Sequence, residues 1–138
     1  LSRVFVDYES PALTSFAEFT AYGGMPALRR FFIDRGEKYK GNKDVPLQVV
    51  TSLAFRFYGE GKLEEAITLL KANTQEYAEP TRIYGALGFI YEQKGDLPLA
   101  LLAYRQALSH ELRQGEASES RAYYENKVAQ LTKQTPDH

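Results

Sequence analysis

The chain has 138 residues, enough for one domain with a modest core. Its composition, 43% hydrophobic and 25% charged, is that of an ordinary globular domain, and a net charge of -1 gives no global case for nucleic acid, whose binders need a basic surface. With no cysteine, disulfides, thiolate metal sites and a cysteine nucleophile are excluded; no apolar run approaches the roughly 18 residues of a membrane span or forms a signal-peptide core.

Residues 1–9, "LSRVFVDYE", carry Val4, Phe5 and Val6 and read as a short strand or as a linker joining a missing upstream domain. The first residue is Leu1 rather than Met, so the chain is expected to be part of a longer polypeptide. Residues 10–44 read as a degenerate N-terminal helix pair. In the first helix, "SPALTSFAEFTAYGG", Ser10 is the expected N-cap, Pro11 lies just inside and Gly23 stops the helix. "MPALRRFFIDRGEKYK" repeats the device with Pro26, followed by Leu28, Phe31, Phe32 and Tyr39. Arg29, Arg30, Arg35, Lys38, Lys40 and Lys43 outnumber Asp34 and Glu37 here, which reads as a solvated helix face and charged loop or, alternatively, as a site for an acidic partner or anion.

Residues 45–114 repeat themselves. A shift of 34 places Leu53 on Leu87, Ala54 on Gly88, Phe57 on Tyr91, Gly61 on Gly95, Ala66 on Ala100 and Leu70 on Tyr104. Large residues meet large ones, small meet small, and glycine meets glycine, as in a unit that buries its apolar face only against its neighbours. Each unit reads as two antiparallel helices. Pro46 and Pro80 suit a first helical position, where a missing N–H is harmless. The first helices end near Gly59 and Lys94 at "GEGK" and "KGD", where glycine accepts a left-handed cap. The second helices are expected over 63–77 and 97–113. Ala54, Gly88, Ala66 and Ala100 mark close approach, and Phe57, Tyr91, Leu70 and Tyr104 fill the space between.

These units resemble the tetratricopeptide repeat family. Residues 81–114 carry most of its pattern in Tyr84, Leu87, Gly88, Tyr91, Gly95, Ala100, Tyr104 and Ala107, departing where Leu112 replaces the turn proline, which implies a longer second helix. Residues 47–80 are looser: Asn73 replaces a small residue and Ala78 stands at the proline position, with Pro80 two residues late. The resemblance implies an all-α superhelix of antiparallel helix pairs with about seven helices. The last is a capping helix within 115–138, where Ala117, Tyr124, Val128 and Leu131 form a stripe at helical spacing.

No catalytic or cofactor constellation stands out. No phosphate loop, zinc spacing or calcium loop is present. His110 is expected near a helix C-terminus, where a cation suits the dipole, and Glu64 and Glu65 are first-turn acids facing water. The repeat resemblance implies a concave face lined by the first helices, where extended partners bind. Helical spacing puts Gln48, Thr51, Phe55 and Tyr58 there from one unit, and Arg82, Gly85, Phe89, Glu92 and Gln93 from the next. Family members that clamp a terminal carboxylate use Lys, Arg and Asn at such positions; Phe55 and Phe89 stand here instead, which argues for an aromatic groove, or for aromatics packed under a neighbouring helix.

The expected function is a non-catalytic protein-interaction module. Its partner is a protein or peptide, an upstream domain of the same chain, or a second copy of it. No nucleic acid, membrane, metal or cofactor is implied. Repeats of this type also resemble regions that follow the catalytic domain in some bacterial hydrolases, esterases of the α/β-hydrolase class. The alternative is therefore a C-terminal appendage that docks on, or dimerises, such a domain.

Overall fold

A computed structural model of the chain describes residues 15–34, 45–77, 79–113 and 119–135. Among them the fold is all-α, with seven helices and no strand: α1 (Phe16–Ala21), α2 (Gly24–Asp34), α3 (Leu47–Gly59), α4 (Leu63–Ala72), α5 (Thr81–Lys94), α6 (Leu97–Arg113) and α7 (Glu119–Gln134). The chain divides into two compact units, Leu1–Ala66 and Ile67–His138, the boundary falling inside the continuous helix α4.

The 34-residue period is written into the backbone. α3 and α5 begin 34 positions apart, and so do α4 and α6. The turns between them share hydrogen bonds as well. Lys62 N donates to Phe57 O at 2.9 Å, and Asp96 N to Tyr91 O at 2.9 Å. One residue earlier, Gly61 N donates to Tyr58 O and Gly95 N to Glu92 O. This closure needs a left-handed residue, and Gly61 (φ 81°) and Gly95 (φ 91°) supply it without a Cβ clash. Ala66 N then bonds Lys62 O and Ala100 N bonds Asp96 O, each at 3.0 Å, starting the next helix.

Pro46 and Pro80 stand one residue earlier than expected, as N-caps rather than first helical residues. Neither has an N–H to leave unpaired, and their carbonyls receive the first amides: Val49 N and Ile83 N donate to them at 3.0 and 2.9 Å. Helix α4 is shorter than expected, ending at Ala72 instead of near Tyr77. Asn73 is the cause. Its buried Nδ2 donates to Leu69 O at 2.8 Å, taking the carbonyl that would have received the Asn73 amide, which turns to Leu70 O. α6 has no such residue at Ala107 and continues past Leu112 to Arg113.

In the first unit, Ser10, Pro11 and Tyr39 lie outside the described residues, as do residues 1–9. The described first helix is capped by Ser15, not Ser10. Ser15 Oγ accepts from Glu18 N at 3.1 Å while Glu18 Oε1 accepts from Ser15 N at 3.2 Å, a reciprocal capping box. Phe16 and Phe19 then pack on Phe57 of α3, at ring separations of 5.2 and 5.4 Å. Gly23 takes φ 111° and ends the turn; α2 begins at Gly24, so Pro26 falls inside its first turn. Leu28, Phe31 and Phe32 are buried, with the two phenylalanines edge to face at 5.1 Å. Here the period fails. α1 and α2 start eight residues apart, whereas sixteen separate α3 from α4 and α5 from α6.

In the second unit α5, α6 and α7 pack in sequence. Tyr84 pairs with His110 of α6, whereas Gly88 and Glu92, further along α5, both meet the earlier Tyr104, so the helices are antiparallel. The buried side chains of these two helices include Ile83, Leu87, Ile90, Leu101, Ala103 and Ala107. A methyl group on Gly88 would lie 2.8 Å from the fully buried Tyr104 ring. Gly88→Ala is therefore expected to destabilise the fold by about 1–3 kcal/mol through overpacking. Gly59→Ala, at a helical position with open space around it, should be neutral or stabilise by roughly 0.5 kcal/mol. Chemical denaturation of the two variants checks this, and equal midpoints would refute the close approach at Gly88.

Candidate partner-binding surface

The expected surface residues fall into two groups, one in each unit. On α3, Gln48 is exposed, Thr51 and Tyr58 are half-buried, and Phe55 is 40% exposed, an unusual state for a phenylalanine on a core helix. Thr51 turns its hydroxyl back to Gln48 O at 3.2 Å, capping its own helix turn. Phe55 lines an open depression of about 540 Å³ together with Ser52, Arg56, Gly59 and Glu60. These five positions lie on one helical stripe, spaced i, i+3, i+4, i+7 and i+8. Only Phe55 of the expected set belongs to it. The stripe sits one step around the helix from the face 48, 51, 55, 58, and helical spacing alone does not say which face is left open.

The rim of the depression is polar and self-compensated. Arg56 Nε pairs with Glu60 Oε2 at 3.2 Å, and Glu60 Oε1 accepts from the backbone amide of Phe16 at 3.2 Å. That amide is one of the unpaired N–H groups at the start of α1, so one carboxylate ties the first helix to the end of α3. Lys62 Nζ lies 5.6 Å from the Phe16 ring on the same side.

On α5, Arg82 and Gln93 are exposed, and Gly85, Phe89 and Glu92 are half-buried. Two of these are engaged by the chain itself. The Tyr124 hydroxyl of α7 lies against Gly85, in the space where a Cβ would be. Glu92 accepts from Tyr104 Oη at 3.0 Å and from Lys127 Nζ at 3.0 Å to each oxygen. Lys127 also lies 5.9 and 5.8 Å from the Tyr104 and Tyr123 rings. Tyr123 and Lys127 were not expected at this face; the only signal for them was one exposed-looking cation beside a double tyrosine.

Among the described residues, no group of three His, Asp or Glu could hold a metal ion, and no helix is long and apolar enough to cross a membrane. His110, at the end of α6, is stacked on Tyr84 with the rings 5.6 Å apart and 9° from parallel. Glu64 is exposed and Glu65 half-buried in the first turn of α4. No protein-family model, curated protein or solved structure matches the chain.

Tyr104 and Tyr124 titrate abnormally. Burial holds the Tyr104 phenol far above the ordinary value of about 10, reinforced by Tyr123 and the Glu92 carboxylate. Burial likewise raises Tyr124, helped by Glu111 and Tyr123 and opposed by Arg82. A raised pKa means that the fold favours the neutral phenol. The stability this gives is complete below about pH 10 and is lost as pH climbs beyond it. In an alkaline titration, Tyr104 and Tyr124 should yield tyrosinate absorbance late, only as helical circular dichroism is lost. Tyr104→Phe should shrink that late phase. Ionisation of every tyrosine before any helix melts would contradict the burial.

Proposed function

We propose that this chain is a non-catalytic interaction module of tetratricopeptide-repeat type. It binds an extended protein segment through the α3 surface centred on Phe55. The observation that carries this reading is the 40% exposure of Phe55 in an open depression on the solvent side of a helix whose opposite face is buried. An aromatic ring with a small neighbour (Gly59), a hydroxyl (Ser52) and a neutralised ion pair at the rim favours one apolar side chain of the partner over a charged one. The recurrence of helix starts and turn hydrogen bonds every 34 residues supports the repeat assignment. Phe89, the counterpart of Phe55 one period later, is half-buried and lies between Gly85 and Glu92, both taken up by α7. Phe55 is therefore the anchor.

The test is selection of a displayed random-peptide library on the full chain. Selected peptides should share an apolar residue and bind saturably. Phe55→Ala should weaken them by about tenfold, the usual cost of truncating a central anchor, and Phe55→Glu should abolish binding. Circular dichroism and denaturation midpoints close to wild type in both variants would confine the loss to the surface. Peptides that bind both variants as well as the wild type would refute the surface, and ester hydrolysis by the purified chain would refute the non-catalytic reading.

A further inference from the structure

Glu60 serves two structures at once. It caps the end of α3 and lines the Phe55 depression, and it also holds the start of α1. Its two oxygens are divided between these tasks. Oε2 pairs with Arg56 Nε at 3.2 Å, and Oε1 accepts the Phe16 amide at 3.2 Å. The Arg56 and Glu60 side chains are 41% and 24% exposed, so water competes for both bonds. At its other end α1 meets a natural pivot. Gly23 and Gly24, which join it to α2, both take positive φ, 111° and 67°. The helix is six residues long and carries its own capping box, so it can shift as a piece. What seats it on α3 is the Glu60 bond together with the Phe16 and Phe19 rings on Phe57.

We propose that Glu60 couples the Phe55 depression to the docking of α1: an apolar group covering the depression tightens α1 on α3, and a cationic group placed there loosens it. This rests on the depression being a binding surface and adds how that surface is regulated. An apolar cover removes water from the carboxylate while Arg56 stays on Oε2. The charge therefore remains compensated, and the bond to the Phe16 amide loses its competitor. A cation instead draws the carboxylate away from that amide. By linkage, docking of α1 favours an apolar occupant to the same degree that the occupant favours docking.

The chain has no cysteine, so a single one can be placed in the depression. Position 59 suits it, because a Cβ there meets open space. The probes are a cyclohexyl and an aminoethyl group, each attached to the Gly59→Cys chain through a disulfide. The readout is hydrogen exchange of the α1 amides by NMR, with the α3 amides as internal reference. The cyclohexyl group should slow α1 exchange by about fivefold, the low end of ordinary coupling for a pair this exposed, and the aminoethyl group should quicken it. Adding Glu60→Ala should abolish the cyclohexyl effect, and Glu60→Ala by itself should quicken α1 exchange while α3 stays protected. Equal effects of the two groups, or none, refute the coupling. A cyclohexyl effect that survives Glu60→Ala refutes Glu60 as its route. Should Glu60→Ala loosen α3 as well, Glu60→Gln decides instead, since it keeps an acceptor oxygen and drops the charge. It should erase the difference between the two probes, and a difference that persists overturns the proposal. Neither probe requires a partner, so a peptide selection that yields nothing refutes the binding reading and leaves the coupling to its own test.

Discussion

The second unit is organised around the burial of a single phenol. Tyr104 is fully buried, and a buried hydroxyl left without an acceptor is costly. Glu92, one helix away and twelve residues back, supplies the acceptor. A half-buried carboxylate then needs a cation, and Lys127 brings it, crossing the Tyr104 ring as it does so. The ring itself fits only because position 88 has no side chain. Each choice forces the next: a glycine admits the ring, the hydroxyl fixes the carboxylate, and the carboxylate fixes where α7 lies.

The same ordering separates what could be read in the sequence from what could not. The turns at Gly61 and Gly95 were legible because their hydrogen bonds are local and depend on one residue's freedom to take positive φ. The pairing of small residues with large rings was legible for a similar reason: Gly88 and Tyr104 are both conspicuous and their spacing follows from the hairpin. The end of α4 was not, although Asn73 was visible as an irregularity. Whether an asparagine amide turns back on the helix depends on its burial, which composition does not give. The Ser15–Glu18 capping box is a four-residue phrase, S-x-x-E, whose spacing alone marks a helix start.

The candidate surfaces were the least legible part, and for a different reason. A helical stripe shows which residues share a face; what covers that face depends on distant sequence. Gln48, Thr51, Phe55 and Tyr58 share a face on paper, yet the depression includes Phe55 with residues from the next stripe. On α5, Glu92 reads as a solvent-facing acid until Lys127, thirty-five residues later, is known to reach it. Long-range ion pairing of this kind leaves almost no trace in a single sequence, since an isolated lysine in a polar helix looks the same whether or not it has a buried partner.

The two units also treat an equivalent position differently, and this bears on function. Phe55 and Phe89 stand one period apart on corresponding helices; Phe55 lines an open depression and is 40% exposed, whereas Phe89 is half-buried. Around Phe89 the face is spoken for: Gly85 lies under a tyrosine hydroxyl and Glu92 under an ammonium group. A polar helix can occupy that face because its seat offers a charge to match. The depression at Phe55 offers none, since Arg56 and Glu60 neutralise each other and Glu60 is further committed to the first amide of α1. A ligand there gains by covering carbon rather than by matching charge, and any ligand that drew Glu60 away would also release the N-terminus of α1. On the proposed reading, recognition at Phe55 would be coupled to the anchoring of α1, whereas the packing of α7 on α5 is a matter of ionic and hydrogen-bond fit.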